Sequence, residues 1–159
     1  MTPKTDSGNV LEKTVIGAFQ GKKIQILPFS DWKKKPVNYG DELLLTNVPY
    51  DTIYGHKGYT EFLLRSKRFQ KEIRIECKWQ QWGGSVDEKL PYLYLNAIEK
   101  MPEKEIIIVI DGDGWKEGAI PWLRDTVIKK KYVGNKTADK IVRVFNLKEF
   151  LMWVNDTFR

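Results

Sequence analysis

"IRIECKWQQWGGSVDEKLPY", residues 73–92, is the stretch on which the fold turns. Side chains alternate across a strand, so Ile73, Ile75, Cys77 and Trp79 make one apolar row, while Arg74, Glu76, Lys78 and Gln80 make a polar one. The alternation predicts a half-buried strand with Cys77 in the core. Upstream, "YTEFLLRS" from Tyr59 and a turn near "KRFQ" complete a hairpin. With the turn centred between Arg68 and Phe69, Glu61 falls directly across from Glu76, and Phe62 and Leu64 join Ile73 and Ile75. Two facing carboxylates destabilise a sheet unless a cation lies between them.

Outward from the hairpin, Ser7 or Asn9 can cap a first helix whose apolar face is Val10, Leu11, Val15, Ala18 and Phe19, and Gly21 ends it. "KKIQILPF" reads as a short strand, residues 30–40 as a surface loop and residues 42–48 as another strand. Ser85, with Glu88 three residues on, forms a capping-box pattern for a helix burying Leu90, Leu93, Tyr94, Ala97 and Ile98. "KEIIIVI" (104–110) is apolar without interruption, as a central strand buried on both faces would be. A helix to about Lys131, the strand "KIVRVF" and the helix "LKEFLMWVNDTF" close the chain. This order predicts a three-layer α/β/α core around a mixed central sheet, in one domain spanning residues 1–159.

Composition narrows the chemistry. With 42% hydrophobic and 13% aromatic residues the chain is not of the disordered class. A net charge of +6 favours a polyanionic partner, nucleic acid first. One Cys and one His exclude a disulfide framework and a Cys/His zinc site within the chain, so a metal would need oxygen ligands, which suit Mg²⁺ and Mn²⁺. The opening "MTPKTDSGNV" has no apolar signal region and no stretch reaches membrane-spanning length, so a cytoplasmic protein with no membrane partner is expected. Lys78, two residues beyond Glu76, projects into the same space, where an ammonium can stabilise charge on a phosphate under attack. Together these features suggest metal-assisted phosphodiester hydrolysis.

At these residues the chain resembles the PD-(D/E)XK nuclease superfamily, the restriction-endonuclease-like group. "IECKWQ" is similar to its (D/E)-x-K half-motif, extended by a glutamine found in some branches. The resemblance implies a Mg²⁺-dependent deoxyribonuclease, of the kind used by phages, mobile elements and restriction systems. It implies Glu76 as a metal ligand, Lys78 as the catalytic lysine, Glu61 as the acid of the preceding strand and Gln80 in support. Glu12, on the first helix, stands where some members carry a further metal-binding glutamate. The family's first acid is usually Asp after Pro. Here Glu61 lacks that pair, and Asp51 in "VPYDTIYG" competes for the role.

DNA would be the partner, and a homodimer or a partner protein would supply specificity. Lys89 and Ser85 at the start of the helix after "GG", and the run Lys33, Lys34 and Lys35, are candidate phosphate contacts. One alternative keeps the fold as a non-catalytic DNA-binding or assembly subunit. Another draws on "IIIVIDGDGW", which resembles the nucleophile loop of haloacid-dehalogenase-like phosphatases and the metal site of toprim enzymes and would make Asp111 and Asp113 catalytic. Its structural counterpart is a tight turn leaving a central strand.

Overall fold

The computed structural model describes residues 6–84 and 86–159. Its elements are α1 (Asp6–Gln20), β1 (Gln25–Pro28), α2 (Phe29–Lys34), β2 (Glu42–Asp51), β3 (Lys57–Ser66), β4 (Lys71–Trp79), α3 (Leu90–Glu99), β5 (Glu105–Asp111), α4 (Ala119–Ile128), β6 (Ile141–Phe145) and α5 (Leu147–Thr157). The strands form one six-stranded sheet in the order β1-β2-β3-β4-β5-β6. The pairs β2–β3 and β3–β4 are antiparallel, and β1–β2, β4–β5 and β5–β6 are parallel, so the sheet is mixed as expected.

Helices cover both faces. On one, Leu11, Val15 and Phe19 of α1 and Phe150 and Val154 of α5 pack on Leu64, Ile73, Ile75, Cys77, Ile107 and Val109. On the other, Leu93, Tyr94, Ala97 and Ile98 of α3 and Leu123 of α4 pack on Ile106, Ile108 and Ile110. The uninterrupted apolar run of β5 thus feeds both cores, which is why it lacks the alternation of a one-sided strand.

Several local expectations are corrected. Residues 30–40 are not a plain loop: Phe29 and Trp32 pack on Leu27, Leu43, Leu45 and Val48, and this contact holds the six-residue helix α2 where the sequence provides no capping side chain. Ser7 and Asn9 stand inside α1, which already runs from Asp6. The α3 helix begins at Leu90, after a 3₁₀ turn over Val86–Lys89, and Ser85 with its proposed cap lies outside the described residues. The helix expected to reach Lys131 ends at Ile128.

The largest correction concerns β4, which is buried on both faces rather than half-buried. Arg74 is only 2% exposed. Its guanidinium donates to Glu103 at 2.5 and 3.0 Å, to Thr60 Oγ1 at 3.0 Å and to the carbonyls of Val48 and Pro49. Planar, permanently charged and rich in donors, it ties β2, β3 and β4 to the segment before β5. Removing one partner of such a pair strands a buried charge, so Glu103→Ala should cost about 3–5 kcal/mol in urea unfolding. A loss below about 1 kcal/mol would mean that the network does not hold the sheet.

Candidate active site

The hairpin register is the expected one. Ser66↔Lys71, Leu64↔Ile73 and Phe62↔Ile75 are paired, which aligns Glu61 with Glu76. Pairing between β3 and β4 stops at Phe62↔Ile75, whereas β3 stays with β2 to Asp51↔Lys57 and β4 stays with β5 to Trp79↔Asp111. The hairpin therefore opens into a fork. A buried N–H facing such a gap needs a partner, and the Cys77 N–H finds one in Glu61 Oε2 at 2.9 Å.

Glu76, 4% exposed, lies beside Glu61, and its Oε1 accepts from Lys78 Nζ at 2.7 Å. Burial pushes the Glu76 carboxyl up to about 8, with a further rise from the charge of Glu61 and a hydrogen bond to it, against the opposing pull of Lys78. For Lys78, burial disfavours the ammonium, but Glu76 and Glu61 outweigh it and hold the pKa above the ordinary lysine value. Burial, Glu61, Glu76 and Glu12 all push the Cys77 thiol up, so it stays protonated. Burial and Glu76 raise the Tyr50 phenol to about 12, leaving it a hydrogen-bond donor at neutral pH.

Two cavities open on the fork. Glu12 and Glu61 line one with Asn47 and Thr46. Glu76 and Lys78 line the other with Tyr50, His56, Lys89 and Tyr92. Among the described residues, no group of three or more His, Cys, Asp or Glu is gathered as a closed metal cage. A buried Glu76 beside a half-buried Glu61, with no thiol or imidazole ligand, nevertheless suits Mg²⁺, which binds through one or two carboxylates and fills its remaining positions with water and phosphate.

The fold also distinguishes the competing residues. Asp51, the last residue of β2, is exposed and its carboxylate pairs with Lys57 at 3.2 Å. Gln80 is buried with both ends of its carboxamide engaged: Nε2 donates to Asp87 and to the Gly114 carbonyl, and Oε1 accepts from the Val86 N–H. It thus fixes the path of the chain leaving β4. Lys89 reaches the Glu76 cavity, whereas Lys33, Lys34 and Lys35 lie between Trp32 and Pro36, which line a separate cavity with Arg65 and Lys71 toward the other end of the sheet.

The "DGDG" loop has a structural task. Asp111 pairs with Trp79, on the face opposite Lys78. Its Oδ1 accepts from Gly112 N at 2.8 Å and its Oδ2 from Leu147 N at 3.0 Å, at the start of α5. Gly112 has φ +102°, and a Cβ there would strike the Gln80 backbone; one on Gly114 would strike Gln81 and Trp82. The glycines let this loop lie against the segment that follows Lys78. Asp113 is exposed.

The chain that folds into this sheet order is matched by a family model. The model describes a PD-(D/E)XK nuclease superfamily domain and covers residues 4–158. The chain belongs to that superfamily. PD-(D/E)XK nucleases typically use divalent metals, and the match supports a nuclease-type function. No curated protein and no solved structure matches the chain. No described helix is long and apolar enough to cross a membrane.

The sequence pattern did not single out Tyr50, His56, Tyr92 or Asn96 as site residues. For Asn96 a signal existed, because it falls on the buried stripe of α3 between Leu93 and Ala97, where a polar side chain is out of pattern. The other three come together only through the β2–β3 turn and α3.

Proposed function

We propose that this PD-(D/E)XK domain is an endonuclease that hydrolyses DNA phosphodiester bonds with Mg²⁺, for which Mn²⁺ can substitute. The observation that carries the reading is the buried Glu76 beside Glu61, with Lys78 at 2.7 Å from Glu76. Glu61 and Glu76 would hold the ion, with Glu12 on the α1 side of the fork. When bound, the ion supplies Lewis-acid polarisation of the phosphate and lowers the pKa of a coordinated water.

The protein's own contributions follow from its chemistry. Glu76, protonated to about pH 8 in the bare site, gives up that proton when positive charge replaces it. Lys78 stays charged and is free to turn from Glu76 to a non-bridging phosphate oxygen, where it stabilises the charge that builds up as water attacks. The new P–O bond forms in line as the P–O3′ bond breaks. Gln80 acts as a positioning residue through its three hydrogen bonds. Lys89 contributes positive charge for the strand entering the cleft.

A plasmid-nicking time course tests this reading. Wild type should nick in Mg²⁺ and Mn²⁺, and Ca²⁺, larger and looser in coordination, should support binding without cleavage. Asp113→Asn should retain nicking within about threefold of wild type, since its ΔΔG‡ should be small. Loss of nicking in a folded Asp113→Asn protein, or phosphomonoesterase activity that requires Asp111, would move the chemistry to the loop after β5. Binding without nicking in any divalent ion would favour a non-catalytic subunit.

A further inference from the structure

The cavity beside Glu76 and Lys78 contains more than the proposed hydrolysis uses. Its volume is about 260 Å³, and Tyr50, Tyr59, Tyr92 and His56 contribute aromatic rings to its lining. Asn96 lines it too, fully buried at 0% exposure. Asn96 Oδ1 accepts from the Ile53 N–H at 2.9 Å, which fixes the orientation of the amide, and Nδ2 has no partner in the protein. A buried donor without a partner is costly, and a ligand acceptor that reaches it relieves that cost. Outside the cavity, Tyr54 stacks on Tyr92 with centroids 5.0 Å apart and planes 24° apart, and is itself 73% exposed.

We infer that this cavity accepts a single unpaired nucleobase of the strand being cut, next to the phosphate held at Glu76 and Lys78. The inference rests on the nuclease reading and adds a substrate class to it. The volume lies just under the roughly 300–1,000 Å³ usual for small-molecule sites, enough for a flat group and far too little for a base pair. Aromatic walls suit the π-face of any base, and the Asn96 Nδ2–H group suits an acceptor on an edge that pairing would otherwise occupy. Access is easiest for a base already free of its partner, so DNA with a bulged nucleotide or a frayed end is preferred over continuous duplex.

The test measures fluorescence anisotropy with two labelled DNA duplexes of the same sequence in Ca²⁺, one fully paired and one with a single bulged nucleotide. Wild type should bind the bulged duplex at least tenfold more tightly. That ratio should fall to near one in Tyr92→Ala, which removes an aromatic wall of the cavity and the ring on which Tyr54 stacks. It should do the same in Asn96→Asp, which keeps the acceptor for Ile53 and removes the donor. Should Asn96→Asp fail to fold, Tyr92→Ala decides alone. Equal wild-type affinities, or a ratio that survives in the folded variants, would overturn the inference. Nicking of fully paired plasmid with no bulge preference removes the base site and leaves the nuclease reading standing. A bulge preference without nicking does the reverse.

Discussion

Glu76→Gln is expected to reduce divalent-dependent cleavage by at least about a thousandfold while leaving the metal-free protein as stable as wild type, or more so. The stability half follows from the direction of the shift. In the folded chain Glu76 keeps its proton up to about pH 8, against an ordinary 4.5. Between those values the folded state holds more protons than the unfolded, so metal-free wild type should lose stability as pH rises, and the loss is complete above pH 8. Each unit of displacement is worth about 1.4 kcal/mol, which makes the cost on the order of a few kcal/mol. Glutamine cannot ionise, so the variant should have a flatter profile over this window and exceed wild type above it. Mg²⁺ should raise the wild-type melting temperature, increasingly so at higher pH, and should do little for the variant. Thermal melts at pH 5, 7 and 9 (approximate settings spanning the window) with and without Mg²⁺ would check this. A large loss of stability in the metal-free variant would instead make Glu76 a structural residue.

The same pair shows what the sequence made legible. Alternation and turn position were sufficient to align Glu61 with Glu76, because a one-residue slip would have turned Phe62, Leu64, Ile73 and Ile75 out of the core. The continuous run of β5 likewise identified a strand covered on both faces. Arg74 was not legible as a buried residue, since its neutralising partner Glu103 lies 29 positions away and only the folded sheet brings them together. The reading of β4 as half-buried failed for that reason: charge normally marks a solvated face, and here each charge is answered inside the protein. The α2 helix was obscured by Pro36 and three lysines, and depends on the tertiary contact of Phe29 and Trp32 with β1 and β2. The fork itself has no local signature. It arises because β3 stays with β2 while β4 stays with β5, a competition between pairings that period-2 patterning cannot express.

Lys78→Ala should separate binding from chemistry. The ammonium is hydrogen-bonded to Glu76 and held charged by Glu76 and Glu61 together, so its removal deletes positive charge next to the phosphate without deleting an oxygen ligand. Cleavage should fall by about 10²–10³-fold, the range seen when one preorganised donor to a developing charge is lost. Mn²⁺ affinity measured by calorimetry near pH 8 should stay within a few fold of wild type, since the loss of Lys78–ion repulsion opposes the higher proton affinity that Glu76 acquires once its counter-ion is gone. Above about pH 8, where Glu76 ionises, metal-free stability should drop, in contrast to Glu76→Gln, because Glu61 and Glu76 lose the cation that offsets their repulsion. The double variant Glu76→Gln/Lys78→Ala should recover most of that drop, giving a coupling free energy that isolates the pair. A Lys78→Ala protein with unchanged turnover would remove Lys78 from the chemistry and leave the fork as an ion site without a phosphate partner. Equal losses in Mn²⁺ affinity and in cleavage would instead assign the lysine to holding Glu76 in place.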